Sequence, residues 1–241
     1  MHTEAQQVVT LRLLNGFALL VDEKRLPLSS SAQRLLAFLA LQNRPRTRPY
    51  IARTLWPEAT TTRASANLRS SLWRALRLGH QIIDASAQEM ALAAHINVDV
   101  HDAITHAHRL LDKACRCDDI LTRQTRDDLS ADLLPEWSDN EWVMIEQEQY
   151  RQLRLYALEA MAKRLTLAGR DGEAVAAGLA VVRAEPLRES AHRVLIDAHL
   201  AAGNRGAAQD QYEQCRRVLR DELGLEPSDT LRHILSQRTS Q

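Results

Sequence analysis

Apolar and polar positions alternate at the start of the chain. Val9, Leu11 and Leu13 are separated by Thr10 and Arg12, and beyond Asn15-Gly16 the alternation resumes through Phe17, Leu19 and Val21. A period of two around an Asn-Gly turn predicts a β-hairpin. A second turn at Asp22-Glu23-Lys24 leads to a short third strand over residues 25–28. The period then becomes helical. Ser30 and Gln33 have the spacing of a capping box. Leu35, Leu36, Phe38 and Leu39 give the apolar face of a helix that runs to Leu41 or Gln42. A basic loop with Arg44, Arg46 and Arg48 follows. Thr47 and Pro49 open a second short helix, which buries Ile51, Leu55 and Trp56 and stops at Pro57.

The segment TTTRASANLRSSLWRALR (60–77) predicts a third helix. At about 100° per residue, Ser65, Leu68, Leu72 and Leu76 share one side. Arg63, Asn67, Ser70, Ser71 and Arg74 share the other, with Arg69 and Trp73 on the flank. The second set holds no acid and no large apolar group, only residues that hydrogen-bond to bases or phosphates. An Arg-rich outer face is also what a merely solvated helix shows, so charge alone leaves both readings open. Further on, His80-Gln81-Ile82-Ile83 and Met90-Ala91-Leu92 bracket the polar turn Ser86-Ala87-Gln88-Glu89, a second hairpin. The order hairpin, three helices, hairpin is that of a winged helix whose last hairpin is the wing.

In the second half, Val100, Ile104, Ala107 and Leu111 are spaced for a helix face, and residues 98–130 read as helical. LLPEWSDNEW (133–142) interrupts the pattern at Pro135. A long helix follows over 140–168, through Trp142, Ile145, Tyr150, Leu153, Tyr156 and Ala157. Ala168-Gly169-Arg170-Asp171-Gly172-Glu173-Ala174 then matches Ala202-Gly203-Asn204-Arg205-Gly206-Ala207-Ala208 at an offset of 34 residues, the tetratricopeptide period. In that register Ala174 takes the small position of the second helix. Leu158, Met161-Ala162 and Leu165 take the first-helix positions, Gly178 the Phe position and Pro186 the terminal Pro. The next copy has Tyr212 at the Phe position and Ile196 where a small residue is usual. One such repeat cannot bury its own face, so the helix pairs must stack. The expected fold is mainly α: a winged helix-turn-helix with small β-sheets over residues 1–97, then an all-α tetratricopeptide-like domain over 98–241.

Composition changes this picture only through its distribution. The 241 residues are 45% apolar and 26% charged with zero net charge, typical of a globular chain. Residues 1–100 carry 12 Lys/Arg against 7 Asp/Glu, and the remainder 19 against 24. A basic half before an acidic half points to one polyanion-binding domain and one with another task. Three cysteines, Cys115, Cys117 and Cys215, make no disulfide framework, and the odd count predicts free thiols in a reducing compartment. MHTEAQQVVT lacks the features of a signal peptide. The longest apolar run, LLAFLAL (35–41), is far short of the roughly 20 residues of a membrane span. No membrane association and a cytoplasmic location are expected. His106-x-His108 and Cys115-x-Cys117, if helical, point to different faces, so no metal or other cofactor is expected. With no GxxxxGK[ST], GxSxG or HExxH motif, an enzyme is not expected.

RLLAFLAL (34–41), ARTLWPE (52–58), ANLRSSLWRAL (66–76) and VDV (98–100) resemble the Streptomyces antibiotic regulatory protein family. So do LLPEW (133–137), EPLRESAHRVLIDAHLAAGN (185–204) and QYEQCRRVLRDELGLEPS (211–228). Members of that family join an OmpR-type winged helix to a bacterial transcriptional activation domain. The resemblance covers nearly the whole chain. It implies side-by-side protomers on double-stranded promoter direct repeats and recruitment of RNA polymerase holoenzyme. The recognition helix maps onto residues 63–77 and enters the major groove. The wing maps onto 86–89 along the minor groove, although its tip lacks a Gly or a basic residue. The loop that meets polymerase maps onto Glu58, Ala59, Thr60, Thr61 and Thr62. The candidate groove contacts are Arg63, Asn67, Ser70, Ser71 and Arg74. The candidate phosphate contacts are Arg34, Arg48, Arg53, Ser86 and Gln88. The alternatives are a protein-binding adaptor whose winged helix dimerises, and a ligand-responsive regulator without direct base readout.

Overall fold

The computed structural model describes residues 8–42, 44–116 and 118–237; the leader reading of residues 1–7 and the thiol of Cys117 lie outside them. The chain divides into two compact units, Met1–Asp102 with Asp132–Glu148, and Ala103–Ala131 with Gln149–Gln241. The fold is mainly α, with its sheets confined to the N-terminal part.

In the first unit, β1 (Val9–Arg12), β2 (Ala18–Val21) and β3 (Lys24–Leu26) form the expected meander. β7 (Asn97–Val98) adds to β1 in parallel, giving the order β3-β2-β1-β7. Both hairpin turns use left-handed backbone: Asn15 and Gly16 have φ of 59° and 122°, Asp22 and Glu23 of 48° and 64°. The VDV segment has a structural task. The Asp99 carboxylate accepts from the backbone N–H groups of Leu13 (2.9 Å) and Leu14 (3.1 Å), tying the end of β1 to the start of α4 (Asp99–Leu111).

Helix α1 (Ser30–Gln42) buries Leu35, Leu36, Phe38 and Leu39. Its first turn differs from the expected capping box. The Ser29 carbonyl accepts from Ala32 and Gln33, and the Gln33 amide donates to the Leu28 carbonyl at 2.9 Å. The helix thus starts one residue early, and Ser30 is already inside it. Next come β4 (Arg46–Thr47), α2 (Arg48–Leu55) and α3 (Thr61–Leu76). Thr47 occupies the N-cap of α2 without a side-chain cap bond, whereas Thr60 Oγ1 accepts from the Arg63 N–H at 3.4 Å. The wing is β5 (Ile83–Ala85) paired with β6 (Glu89–Leu92), and β4 completes a sheet of order β4-β6-β5. An aromatic cluster closes the unit. Trp137, in a 3-10 turn entered through Leu134 at φ 42°, stacks on Phe17 at 5.9 Å. Trp142 meets Phe38 edge-on at 5.3 Å.

In the second unit, the helix expected over 98–130 is two helices. α4 ends at Leu111, and α5 (Arg123–Ser130) begins after an irregular stretch. Asp112 Oδ1 accepts from the Ala114 N–H at 2.9 Å, an Asp-turn that competes with helix continuation. Thr122 then caps α5 by accepting from Thr125 N–H at 3.1 Å. Leu111, expected in the core, is 38% exposed. Cys115 lies in the irregular stretch and is disulfide-bonded, contrary to the expectation of free thiols. The helix-face argument therefore does not apply there. Cys215 is free, and burial pushes its thiol up to about 12.

The long helix α6 (Glu141–Leu167) is followed by α7 (Asp171–Ala184), α8 (Glu189–Ala201), α9 (Arg205–Leu223) and α10 (Asp229–Gln237). The 34-residue repeat is structural. Arg170 N–H bonds the Leu165 carbonyl across Gly169 (φ 69°), and Asn204 N–H bonds the His199 carbonyl across Gly203 (φ 76°). Ala174 and Ala208 are both fully buried. Gly178 lets α7 approach α8 so closely that a Cβ there would stand 3.0 Å from Leu195 Cα. Its counterpart Tyr212 is instead half-buried against the cluster of Ile196, Ala208, Cys215, Leu219 and Leu231. A buried carboxylate, Glu159, is satisfied by Arg188 Nε and Ser190 Oγ, both at 2.6 Å.

Candidate nucleic-acid interface

Helix α3 packs on α1 and α2 and buries Ala64, Leu68, Ser71, Leu72 and Ala75. At about 100° per residue, the centre of this stripe lies opposite Ala66, Ser70, Trp73 and Arg77. The outward face is therefore rotated from the one expected. Ser71, expected in a groove, is fully buried, and its Oγ donates to the Asn67 carbonyl at 2.9 Å. It has no hydroxyl to offer a ligand. Leu76, expected in the core, is 47% exposed. Asn67 is half-buried at the border, and Ser65, expected inside, is half-buried too. Arg63, Ser70 and Arg74 are exposed as expected, and Arg69, Trp73 and Arg77 join them. Arg74 is positioned by α1, its Nη1 donating to Ser31 Oγ at 2.9 Å. Arg77 lies over the Trp73 ring, 4.7 Å from its centroid.

Electrostatically the face is one-signed. From Ala59 to Ile83 the chain has four arginines and no acid. Among the described residues, no ion pair engages Arg63, Arg69, Arg74 or Arg77. A helix with unneutralised guanidinium groups on its outer side suits a polyanion.

The phosphate candidates divide. Arg53 is exposed and, among the described residues, carries no ion pair. Arg48 is committed to the wing: its Nε donates to the Ser86 carbonyl (2.9 Å) and its N–H to that of Gln88 (2.9 Å). Ser86 Oγ accepts from Gln88 and Glu89 N–H groups, so it shapes the wing turn, and Gln88 is exposed at its tip. Arg34 has a structural task. It is half-buried, its Nη2 donates to the Leu55 carbonyl at 2.7 Å, and burial holds its guanidinium below its ordinary value. It fastens α1 to the end of α2.

Glu58, Thr60, Thr61 and Thr62 are exposed and Ala59 half-buried, so the turn before α3 is an accessible edge. Beside it is a cleft of about 780 Å³, lined by Arg34, Arg53, Trp56, Glu58, Arg63 and Trp142 among others. Among the described residues no group of His, Cys, Asp and Glu is placed to hold a metal ion, and no helix is long and apolar enough to cross a membrane.

A family model described as the bacterial transcriptional activator domain matches residues 83–237. The transcriptional regulator RedD of Streptomyces coelicolor is 34% identical over 83 residues, which are 34% of this chain and 24% of that protein. A solved structure of Mycobacterium tuberculosis EmbR in complex with a low-affinity phosphopeptide superposes with a TM-score of 0.74 at 21% identity. The superposition covers 97% of this chain and 65% of the EmbR chain. That likeness is one of fold. The chain thus spans about a quarter of RedD and less than two thirds of EmbR.

Proposed function

Since the chain belongs to the bacterial transcriptional activator domain family, in line with the antibiotic-regulator resemblance of its motifs, we propose that it is a sequence-specific DNA-binding transcription activator. The observation that carries the reading is the acid-free outer face of α3 and its C-cap, with four arginines that make no ion pair among the described residues. In this reading α3 enters the major groove, and Arg53 with the Gln88 tip holds the flanking phosphates. Ser70 and Arg74 face bases, while Arg63 and Arg69 border the groove. Protomers bind side by side on direct repeats near a cytoplasmic promoter, and the exposed turn of Glu58, Ala59, Thr60, Thr61 and Thr62 meets RNA polymerase.

The test is electrophoretic mobility of duplex DNA with the full chain at two salt concentrations. A discrete shift that weakens steeply with salt and is lost in Arg63→Ala with Arg74→Ala is expected. A shift indifferent to salt and to those arginines would move the adaptor reading ahead.

A further inference from the structure

We propose that Trp73 reads thymine, its indole meeting the C5-methyl group of a thymine in the major groove. The proposal rests on the DNA-binding reading above. Trp73 is 58% exposed on the outward line of α3, between the small side chains of Ala66 and Ser70 and the guanidinium of Arg77. Small neighbours leave the indole standing proud of the helix. Arg77 covers one ring face at 4.7 Å, and the 58% exposure of Trp73 leaves much of the indole reachable. Around it the surface is cationic, with Arg69 and Arg74 exposed on either side and no acid within the helix.

A large apolar group in the middle of such a face has few matches on DNA. Phosphates and sugars reward the arginines. Along the base edges of the major groove, the one apolar feature is the thymine methyl. The indole supplies the apolar contact, and the neighbouring arginines supply the charge that brings it there. Periodicity of the sequence put Trp73 on the flank because Leu76 outweighed Ala64 and Ala75 in choosing the buried side.

The experiment uses the full chain and a binding site selected from a pool of random duplexes. Each thymine of the site is replaced in turn by deoxyuridine, which lacks only the methyl. One position, repeated at the spacing of the half-sites, is expected to lower wild-type affinity about four-fold, the ~0.8 kcal/mol of one buried methyl-sized group. Trp73→Ala is expected to bind the selected site more weakly and to be indifferent to that replacement. Trp73→Phe retains part of the sensitivity, and unchanged melting of both variants excludes a folding defect. The proposal is overturned if no thymine is fixed in the selected site. It is equally overturned if no replacement weakens binding, or if the loss is the same in wild type and Trp73→Ala. Failure of the wild type to retard any duplex in a salt-sensitive way removes the DNA-binding reading itself, and this proposal with it.

Discussion

The salt dependence of binding is set by how many arginines reach phosphates, and the rotated face of α3 sets most of that number. With Arg74 turned to bases, the phosphate-facing groups are Arg53, Arg63, Arg69 and Arg77, all exposed and, among the described residues, free of ion pairs. If each neutralises one phosphate, the slope of log affinity against log salt is about −3.6 for one protomer, from ~0.9 per contact. Raising salt from 50 to 200 mM then weakens binding roughly 150-fold. Replacing Arg69 and Arg77 by Ala removes two contacts, so the slope falls to about −1.8 and the loss to roughly 12-fold. Ser71→Ala, the buried member of the face inferred from sequence, is expected to leave the affinity at fixed salt unchanged. Fluorescence anisotropy of a labelled duplex across that salt range measures all three. The substituted arginines are solvent-facing, and the Arg77 contact with the Trp73 ring is lost with them, so their own effect on stability stays within about 1 kcal/mol. A double variant with the wild-type slope would refute the rotated face, and a loss of affinity at fixed salt in Ser71→Ala with unchanged melting would restore the one read from sequence.

Other outcomes follow from the packing. Asp99→Ala leaves the N–H groups of Leu13 and Leu14 without their acceptor and is expected to cost about 2 kcal/mol by denaturant unfolding. In α7, Gly172→Ala meets nothing within 4 Å and is expected to stabilise by ~0.5–1 kcal/mol, helix propensity alone. Gly178→Ala drives a Cβ to 3.0 Å from Leu195 Cα, an overpacking cost of ~1–3 kcal/mol that outweighs the same propensity gain. Thermal midpoints should therefore order Gly172→Ala above wild type above Gly178→Ala. His192 is buried, with its Nε2 bonded to the Pro186 carbonyl at 2.8 Å and Nδ1 to the Gln211 amide at 2.7 Å. Burial lowers its affinity for protons below the ordinary 6.5, so the unfolded chain binds the proton more readily. Its stabilising contribution is complete above about 6.5 and declines as pH falls from there toward the folded value. The urea midpoint should be lower at pH 5.5 than at 7.5, with a smaller difference in His192→Gln.

What the sequence disclosed was local. Alternation through Val9, Leu11 and Leu13, the Asn15-Gly16 turn, and the Leu35 to Leu39 run each carry their element in a few neighbouring residues. The repeat was legible because Gly169 and Gly203 end helices in left-handed backbone, a demand that only a few residue types meet. What stayed hidden was non-local or weakly signalled. Trp137 and Trp142 pack on Phe17 and Phe38, more than a hundred residues away in the chain. No periodicity in 133–142 marks those partners. The Asp112 turn that divides α4 from α5 uses one polar side chain inside an otherwise helical pattern.

The site suffered most from weak signal, and for one reason. A helix pressed against two others is held at its closest approach by small residues, and Ala64, Ser71 and Ala75 do this in α3. Small side chains contribute little to a hydrophobic pattern, whereas Leu76, near the helix end, contributes much and yet faces solvent. Weighting by size therefore turns the inferred buried side toward Leu76 and the inferred outer side toward Ser71. Packing reverses the weighting, because at the contact line the absence of bulk is what stabilises. The outward line then runs through Ala66, Ser70, Trp73 and Arg77, and the one large aromatic on it belongs to the interface instead of the core.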